Sequence, residues 1–78
     1  MEKKVVCQVE NGVDSLMRIV GLLKRKRFDI KEVNMTNNDN TGGSLLEITL
    51  LETIKLGALN AMHQLEKIED ANNIRIIN

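Results

Sequence analysis

The chain has 78 residues, and its 11 basic and 11 acidic side chains leave no formal net charge at pH 7. This length predicts a single domain over residues 1–78, and the neutral balance gives no indication of binding to nucleic acid or to an acidic membrane. One Phe without Tyr or Trp argues against base stacking, and a single cysteine excludes a disulfide within the chain.

The first predicted element is a half-buried strand over residues 3–10, because apolar and polar side chains alternate there. A short turn follows, and Asp14 or Ser15 is predicted to cap a helix over about residues 15–26. This helix has apolar positions at helical spacing and a cationic last turn, which complements the negative end of its dipole. We expect any binding site at this loop and helix N-terminus, where backbone N–H groups point outward.

The second strand is predicted over residues 28–36. Its apolar positions change phase halfway, which predicts a β-bulge near Lys31 and Glu32 that returns them to one face. A polar turn over 37–43 then leads to a third strand over 44–51, in which alternate residues are buried.

Thr53 is predicted to cap a second helix over about residues 54–69, followed by a short strand over 74–77. Gly57 lies inside this helix and is predicted to permit close approach to the sheet. The apolar stripe of the helix consists of Ile54, Ala58, Ala61, Leu65 and Ile68.

The resulting order is βαββαβ, which predicts an α+β, ferredoxin-like fold. Two right-handed crossovers and one hairpin give a four-stranded antiparallel sheet of order 4-1-3-2 with both helices on one face. The opposite face is expected to be largely polar, with Val6 as an apolar exception. An open edge strand and the small size favour association, and a homodimer is the expected form.

Several other functions found with this topology need residues that this chain does not have. RNA-recognition modules stack bases on aromatic residues of the first and third strands, and those strands have none, so the basic run at 24–27 is expected to solvate the helix end. His63 is predicted on a helix surface and Cys7 in the core, and neither has a second metal ligand nearby. The first loop has no Arg for acylphosphatase chemistry. We therefore predict no catalytic residue, metal or cofactor for this chain, and a cytoplasmic location because no signal or membrane segment is evident.

Residues 10–30 and 64–68 carry a family resemblance. The first segment is similar, without a gap, to the pattern E-N-R-P-G-V-L-S-R-V-x-G-L-F-x-R-R-G-F-N-I, and the second to Q-L-N-K-L. These patterns are typical of the ACT domain in the short regulatory subunit of acetolactate synthase. The matching residues include Glu10, Asn11, Leu16, Arg18, Gly21, Leu22, Arg25, Phe28 and Ile30.

The resemblance implies a non-catalytic subunit that binds and activates the thiamine-diphosphate-dependent catalytic subunit in branched-chain amino acid biosynthesis. It also implies a site for an amino acid such as valine between paired domains. The implied ligand-binding residues are Asn11, Gly12, Val13, Asp14, Ser15, Asp29 and Ile30.

Several positions in or near this implied site depart from the family pattern, which has Arg-Pro-Gly where this chain has Gly12, Val13 and Asp14. Asp14 replaces a glycine, Asp29 replaces an asparagine, and Arg27 replaces a glycine. An aspartate at position 14 adds a negative charge where the ligand carboxylate would approach, so we expect weak or altered valine feedback. The alternatives are a free-standing ACT-type sensor that binds an amino acid as a homodimer, or a purely structural oligomerisation module.

Overall fold

The computed structural model describes residues 1–37 and 43–77. Most of the polar turn predicted over 37–43 therefore lies outside the described residues. The described elements are β1 (Glu2–Val9), α1 (Val13–Arg25), β2 (Asp29–Asn37), β3 (Ser44–Leu51), α2 (Ala58–Leu65) and β4 (Ala71–Ile77). Their order confirms the predicted βαββαβ fold.

The four strands form one antiparallel sheet of order β2-β3-β1-β4, which is the predicted order read from the other edge. The register shifts between Ile30 and Glu32, so the predicted bulge is confirmed and places Ile30 and Val33 on one face of β2. A second irregularity lies in β4 opposite Cys7, where Asn73 has a φ of 51°. Because β4 continues beyond this irregularity to Ala71, it begins three residues before the predicted start.

One hydrophobic core lies between the sheet and the two helices. Both helices contribute to it together with the same face of β1 and β3, which confirms that they lie on one side of the sheet. Val6 is on the opposite face and is still only 2% exposed. The fully or nearly fully buried core residues are Val5, Cys7, Val9, Ile19, Leu23, Phe28, Leu46, Ile48, Leu50, Ala58, Ala61 and Leu65.

Helix α2 is shorter than the predicted 54–69, and Thr53 is not its cap. The Thr53 hydroxyl accepts a hydrogen bond from Leu56 N–H (3.0 Å) and donates one to Leu56 O (3.2 Å), so it closes a turn that precedes the helix. Such local side-chain bonds compete with helical ones. Ile54, predicted on the buried stripe, is fully exposed, and the helix ends at Leu65 rather than at residue 69.

Gly57 is the N-cap of α2 and has an extended backbone, so its predicted place inside the helix is wrong. Its close approach is to a side chain and not to the sheet, since a Cβ at this position would lie 2.7 Å from Glu52 Oε2. That carboxylate accepts the Ala58 N–H at 3.0 Å and thus binds an unpaired donor of the first helical turn. Among the described residues, no helix is long and apolar enough to cross a membrane.

Candidate functional site

The loop between β1 and α1 is held by backbone hydrogen bonds around Gly12. This residue is the N-cap of α1, with φ 54° and ψ −123°, a conformation that glycine adopts without steric cost. Asp14 N–H donates to Asn11 O (3.1 Å) and Leu16 N–H donates to Gly12 O (3.0 Å). The helix therefore begins at Val13, and the predicted cap at Asp14 or Ser15 is wrong.

Ser15 does not cap the helix because its hydroxyl takes part in a long-range contact. It accepts the Asn11 N–H at 3.1 Å and donates to Asp70 Oδ2 at 3.2 Å, and the residue is fully buried. Arg18 Nη1 lies 2.7 Å from the same Asp70 oxygen. Glu10 N–H also donates to the Asp70 carbonyl at 3.2 Å. The loop and the first turns of α1 are therefore fixed to the segment that leads into β4.

These partners stabilise the charged form of Asp70. A hydrogen bond from Asn11, followed by one from Ser15 and the charge of Arg18, holds the pKa of the Asp70 carboxyl below its ordinary value of 3.8, although desolvation partly opposes them. The side chain is only 13% exposed. A lowered pKa in the folded state means that this carboxylate stabilises the fold above its ordinary pKa and that the contribution is lost as the pH falls through the folded value.

We expect Asp70→Asn to lower the melting temperature at pH 7, because it removes the charge that Arg18 and Ser15 bind. The difference from wild type should shrink as the pH falls below about 4, where the carboxylate of the unfolded chain is protonated first, and should vanish below the lowered pKa of the folded state. Thermal unfolding followed by circular dichroism between pH 7 and 2.5 measures this. Glu69→Gln, at an exposed neighbouring position, is the matched control; equal behaviour of the two variants would contradict the assigned role.

The exposed charges of the loop are negative. Glu10 and Asp14 are both exposed, and neither forms an ion pair with a described residue, while the nearby cation Arg18 is bound to Asp70. Val13 is 59% exposed beside Asp14. The loop therefore presents an apolar side chain next to uncompensated negative charge, which disfavours a ligand carboxylate.

The predicted ligand residues fall into two separate groups. Asn11 to Ser15 lie together at the end of the sheet where Val9 pairs with Ser44. Asp29 pairs with Leu51 at the opposite end, next to Glu2. The eight residues of β1 separate the two ends by about 23 Å at about 3.3 Å per residue. One chain does not bring Asp29 and Ile30 to the loop.

An apolar surface covers the outer side of α1 and the edge strand β2; we call it the α1–β2 surface. Met17 is 68% exposed and Val33 is 36% exposed, and Val13 lies one turn before Met17 on the same helix stripe. Among the described residues β2 pairs only with β3, so its outer edge is open. The surface contains a shallow apolar groove of 460 Å³ lined by Leu16, Met17, Val20, Gly21 and Val33.

Cys7 and His63 have the surroundings predicted for them. Cys7 is a buried free thiol, and burial raises its pKa to about 11 from 9.0. His63 is exposed on α2. Within residues 1–37 and 43–77, no group of three or more His, Cys, Asp or Glu side chains could hold a metal ion.

We expect Cys7 to react with a water-soluble disulfide reagent only when the protein unfolds. A pKa of about 11 lowers the thiolate fraction at neutral pH about a hundredfold, and burial blocks access as well. The absorbance of the thiol that the reagent releases, followed at pH 7.5 with and without urea, gives the rate at which Cys7 reacts. Rapid stoichiometric labelling of the native protein would contradict this burial.

Comparison with known proteins gives a likeness in structure only. No protein-family model and no curated protein matches the chain. Formyltetrahydrofolate deformylase from Burkholderia mallei ATCC 23344 matches with a TM-score of 0.68 and 16% identity over 100% of this chain and 28% of that chain. The formyltetrahydrofolate deformylase from Pseudomonas putida KT2440 matches with a TM-score of 0.70 and 10% identity over 100% and 29%.

The shared feature is the fold. At 10–16% identity the likeness shows a shared ferredoxin-like fold and nothing about chemistry. This chain spans less than a third of the length of either deformylase.

Proposed function

We propose that this chain is a non-catalytic regulatory subunit that binds and activates the catalytic subunit of acetolactate synthase. The observation that carries the proposal is the ungapped resemblance of residues 10–30 to that family. In the fold these residues form the β1–α1 loop, helix α1 and the start of β2. They are consecutive parts of one structural unit, which makes the resemblance more than a set of scattered core matches.

In this role the chain supplies binding energy and no reacting group. The chemistry and the thiamine diphosphate belong to the catalytic subunit in the cytoplasm. A regulatory subunit activates its partner when it binds the active conformation more tightly than the inactive one. A tenfold shift in favour of the active state requires about 1.4 kcal/mol of difference in binding free energy, which a few contacts can supply.

We propose that the chain acts as a homodimer through the α1–β2 surface. Self-association would cover Met17 and Val33 and pair the open edge of β2. A two-fold axis through paired β2 strands makes them antiparallel, so the Asp29 end of one copy meets the Asn37 end of the other. The β1–α1 loop lies at that end, so a dimer would bring the two halves of the implied amino-acid site together.

The same geometry supports weak or altered valine feedback. Asp14 is exposed in the first turn of α1, and Asp29 is exposed at the start of β2. Asp29 has Lys31 at 3.4 Å, whereas Asp14 has no cationic partner among the described residues. A ligand carboxylate near Asp14 would meet an uncompensated charge of the same sign.

Co-purification tests the partnership. A tagged acetolactate synthase catalytic subunit is mixed with the full chain and separated by size-exclusion chromatography. We expect both to elute as one complex, and wild-type ubiquitin, a domain of similar size, serves as the negative control. Separate elution at micromolar concentrations of both proteins would contradict the proposal.

The alternative is a free-standing sensor that binds a small amino acid as a homodimer. Such a sensor needs a second copy, because the loop and Asp29 lie at opposite ends of the sheet within one chain. Calorimetry against the twenty amino acids distinguishes the two functions. Micromolar binding without any association with the catalytic subunit would establish the sensor, and association without such binding would establish the regulatory subunit.

A further inference from the structure

We infer that Asp14 of one copy forms an ion pair with Lys24 of a second copy in the homodimer. The second copy thereby supplies the cation that the β1–α1 loop lacks within one chain. The inference rests on the self-association proposed above for the α1–β2 surface, and it names the charged residues that join the two copies. It does not depend on the catalytic subunit.

The exposed charges of α1 are separated along the length of the helix. Asp14 lies in its first turn, and Lys24 and Arg25 lie in its last turn. All three are exposed, and none forms an ion pair with another residue of the ranges 1–37 and 43–77. Arg18, the next cation after Asp14 along the helix, is bound to Asp70. Each end of α1 therefore carries a charge that one chain does not neutralise.

Pairing of two β2 strands about a two-fold axis also makes the two α1 helices antiparallel. Helix α1 begins at the end of the sheet where Val9 pairs with Ser44, and Ser44 pairs with Asn37 at the end of β2. The helix ends at Arg25, shortly before β2 begins at Asp29. Because α1 and β2 run in opposite directions within a chain, the first turn of one α1 lies beside the last turn of the other.

Asp14 and Lys24 lie at matching distances from such an axis. Val33 is the middle residue of β2 and lines the apolar groove together with Met17. The middle residue of α1 is Ile19, and Asp14 lies five residues before it and Lys24 five residues after it. At about 1.5 Å per residue, both are about 7.5 Å from the middle of the helix. A two-fold axis near Val33 therefore places Asp14 level with Lys24 of the second copy.

Both charged residues border the apolar part of the α1–β2 surface. Asp14 precedes Met17 by three residues and Lys24 follows it by seven, and such spacings place residues on one face of a helix. In the homodimer the apolar residues would meet at the centre and the ion pairs would lie at the rim, as is common in protein interfaces. The parallel orientation of the helices would instead bring Lys24 of both copies together, so the charges favour the antiparallel one.

The ion pair also affects the β1–α1 loop. Asp14 is one of the residues implied for binding an amino acid, and in the homodimer Lys24 of the second copy would cover its carboxylate. A ligand that binds beside Asp14 must first displace this lysine. The departure from the family pattern at position 14 thus weakens feedback in a second way, because it brings a side chain of the other copy over the loop.

Charge reversal in the full chain tests the ion pair. Asp14→Lys and Lys24→Asp should each self-associate at least about fivefold more weakly than wild type, because two contacts of opposite charge become two of like charge. An equimolar mixture of the two variants should form a heterodimer about as tightly as wild type forms its homodimer, since each contact again joins a lysine to an aspartate. Analytical ultracentrifugation measures the dissociation constants, and the gain on mixing should shrink at high salt.

The matched control is a mixture of Glu66→Lys and Lys67→Asp, which makes the same changes in net charge at exposed positions just after α2. This mixture should show no such gain. The neutral changes Asp14→Asn and Lys24→Gln serve if a reversed charge at a helix end unfolds the chain. They should weaken self-association only about two- to tenfold, and the double variant should lose no more than either single variant.

The outcomes separate this inference from the proposed function. Preference for the heterodimer supports the ion pair, because the interaction of these charges with the helix dipole is internal to one chain and produces no such preference. If wild type self-associates but the reversed variants gain nothing on mixing, the ion pair is wrong and the proposed homodimer stands. If wild type remains monomeric at high micromolar concentrations, both are overturned, and the proposed binding to the catalytic subunit is tested separately by co-purification.

Discussion

Replacing Asp14 by Gly together with Asp29 by Asn is expected to give the chain micromolar binding of valine. The two changes remove one uncompensated negative charge from the first turn of α1 and one charge from the start of β2. Like charges about 4 Å apart repel by about 1–4 kcal/mol, depending on the local dielectric, which corresponds to roughly a 5- to 1000-fold change in dissociation constant.

Calorimetry with valine, leucine and isoleucine measures this prediction. Asp14→Asn and Asp29→Asn, tested singly, separate the removal of charge from the smaller size of glycine. Glu66→Gln, at an exposed position just after α2, is the control for a general change in net charge. If the double variant remains folded, with the same self-association as wild type, and still binds none of the three amino acids, the assignment of the implied site to this loop is wrong.

Truncation of Ile48 to Ala is expected to remove a large part of the free energy of unfolding of the chain. Ile48 is fully buried in β3 and pairs with Val5 on one side and Val33 on the other. Removing such a side chain costs about 2–5 kcal/mol. A domain of 78 residues has about 4–12 kcal/mol of stability at roughly 0.05–0.15 kcal/mol per residue. The loss is therefore a large part of the total.

Urea unfolding followed by circular dichroism measures the change. Leu59→Ala is the matched control, because it removes a similar volume from an exposed position of α2 and should change stability by less than about 0.5 kcal/mol. Both variants are compared at the same protein concentration, since the proposed self-association would add to the apparent stability. A loss below about 1 kcal/mol for Ile48→Ala would contradict the central place of Ile48 in the core.

The strand pattern, the order of elements and the bulge in β2 could be predicted from the sequence because they depend on local periodicity. The bounds of β3 are those predicted, since its alternation is regular over eight residues. Helix α2 was predicted too long because Ile54 fits the spacing of an apolar stripe. Periodicity does not register the competing bonds of Thr53 and Glu52 with nearby backbone groups, and these bonds exclude residues 54–57 from the helix.

The candidate site could be predicted only in part. Its position at the β1–α1 loop follows from turn residues next to an amphipathic helix. The contact of Ser15 with Asp70 joins residues 55 positions apart, so no local pattern points to it. The only sign of this contact in the sequence is that Arg18 and Asp70 carry opposite charges. Many other pairs of residues in the chain do so as well. The α1–β2 surface could not be predicted because local periodicity does not show which apolar side chains of a helix and of the strand after it remain exposed side by side.

The most direct test of the regulatory role is the rate of acetolactate formation by the purified catalytic subunit as this chain is added. The account predicts a saturable increase in rate that reaches its plateau when the regulatory chain occupies every catalytic subunit. Ile48→Ala, which is expected to be strongly destabilised, should give a smaller increase under the same conditions. An unchanged rate at saturating concentrations of correctly folded wild-type chain would contradict the account.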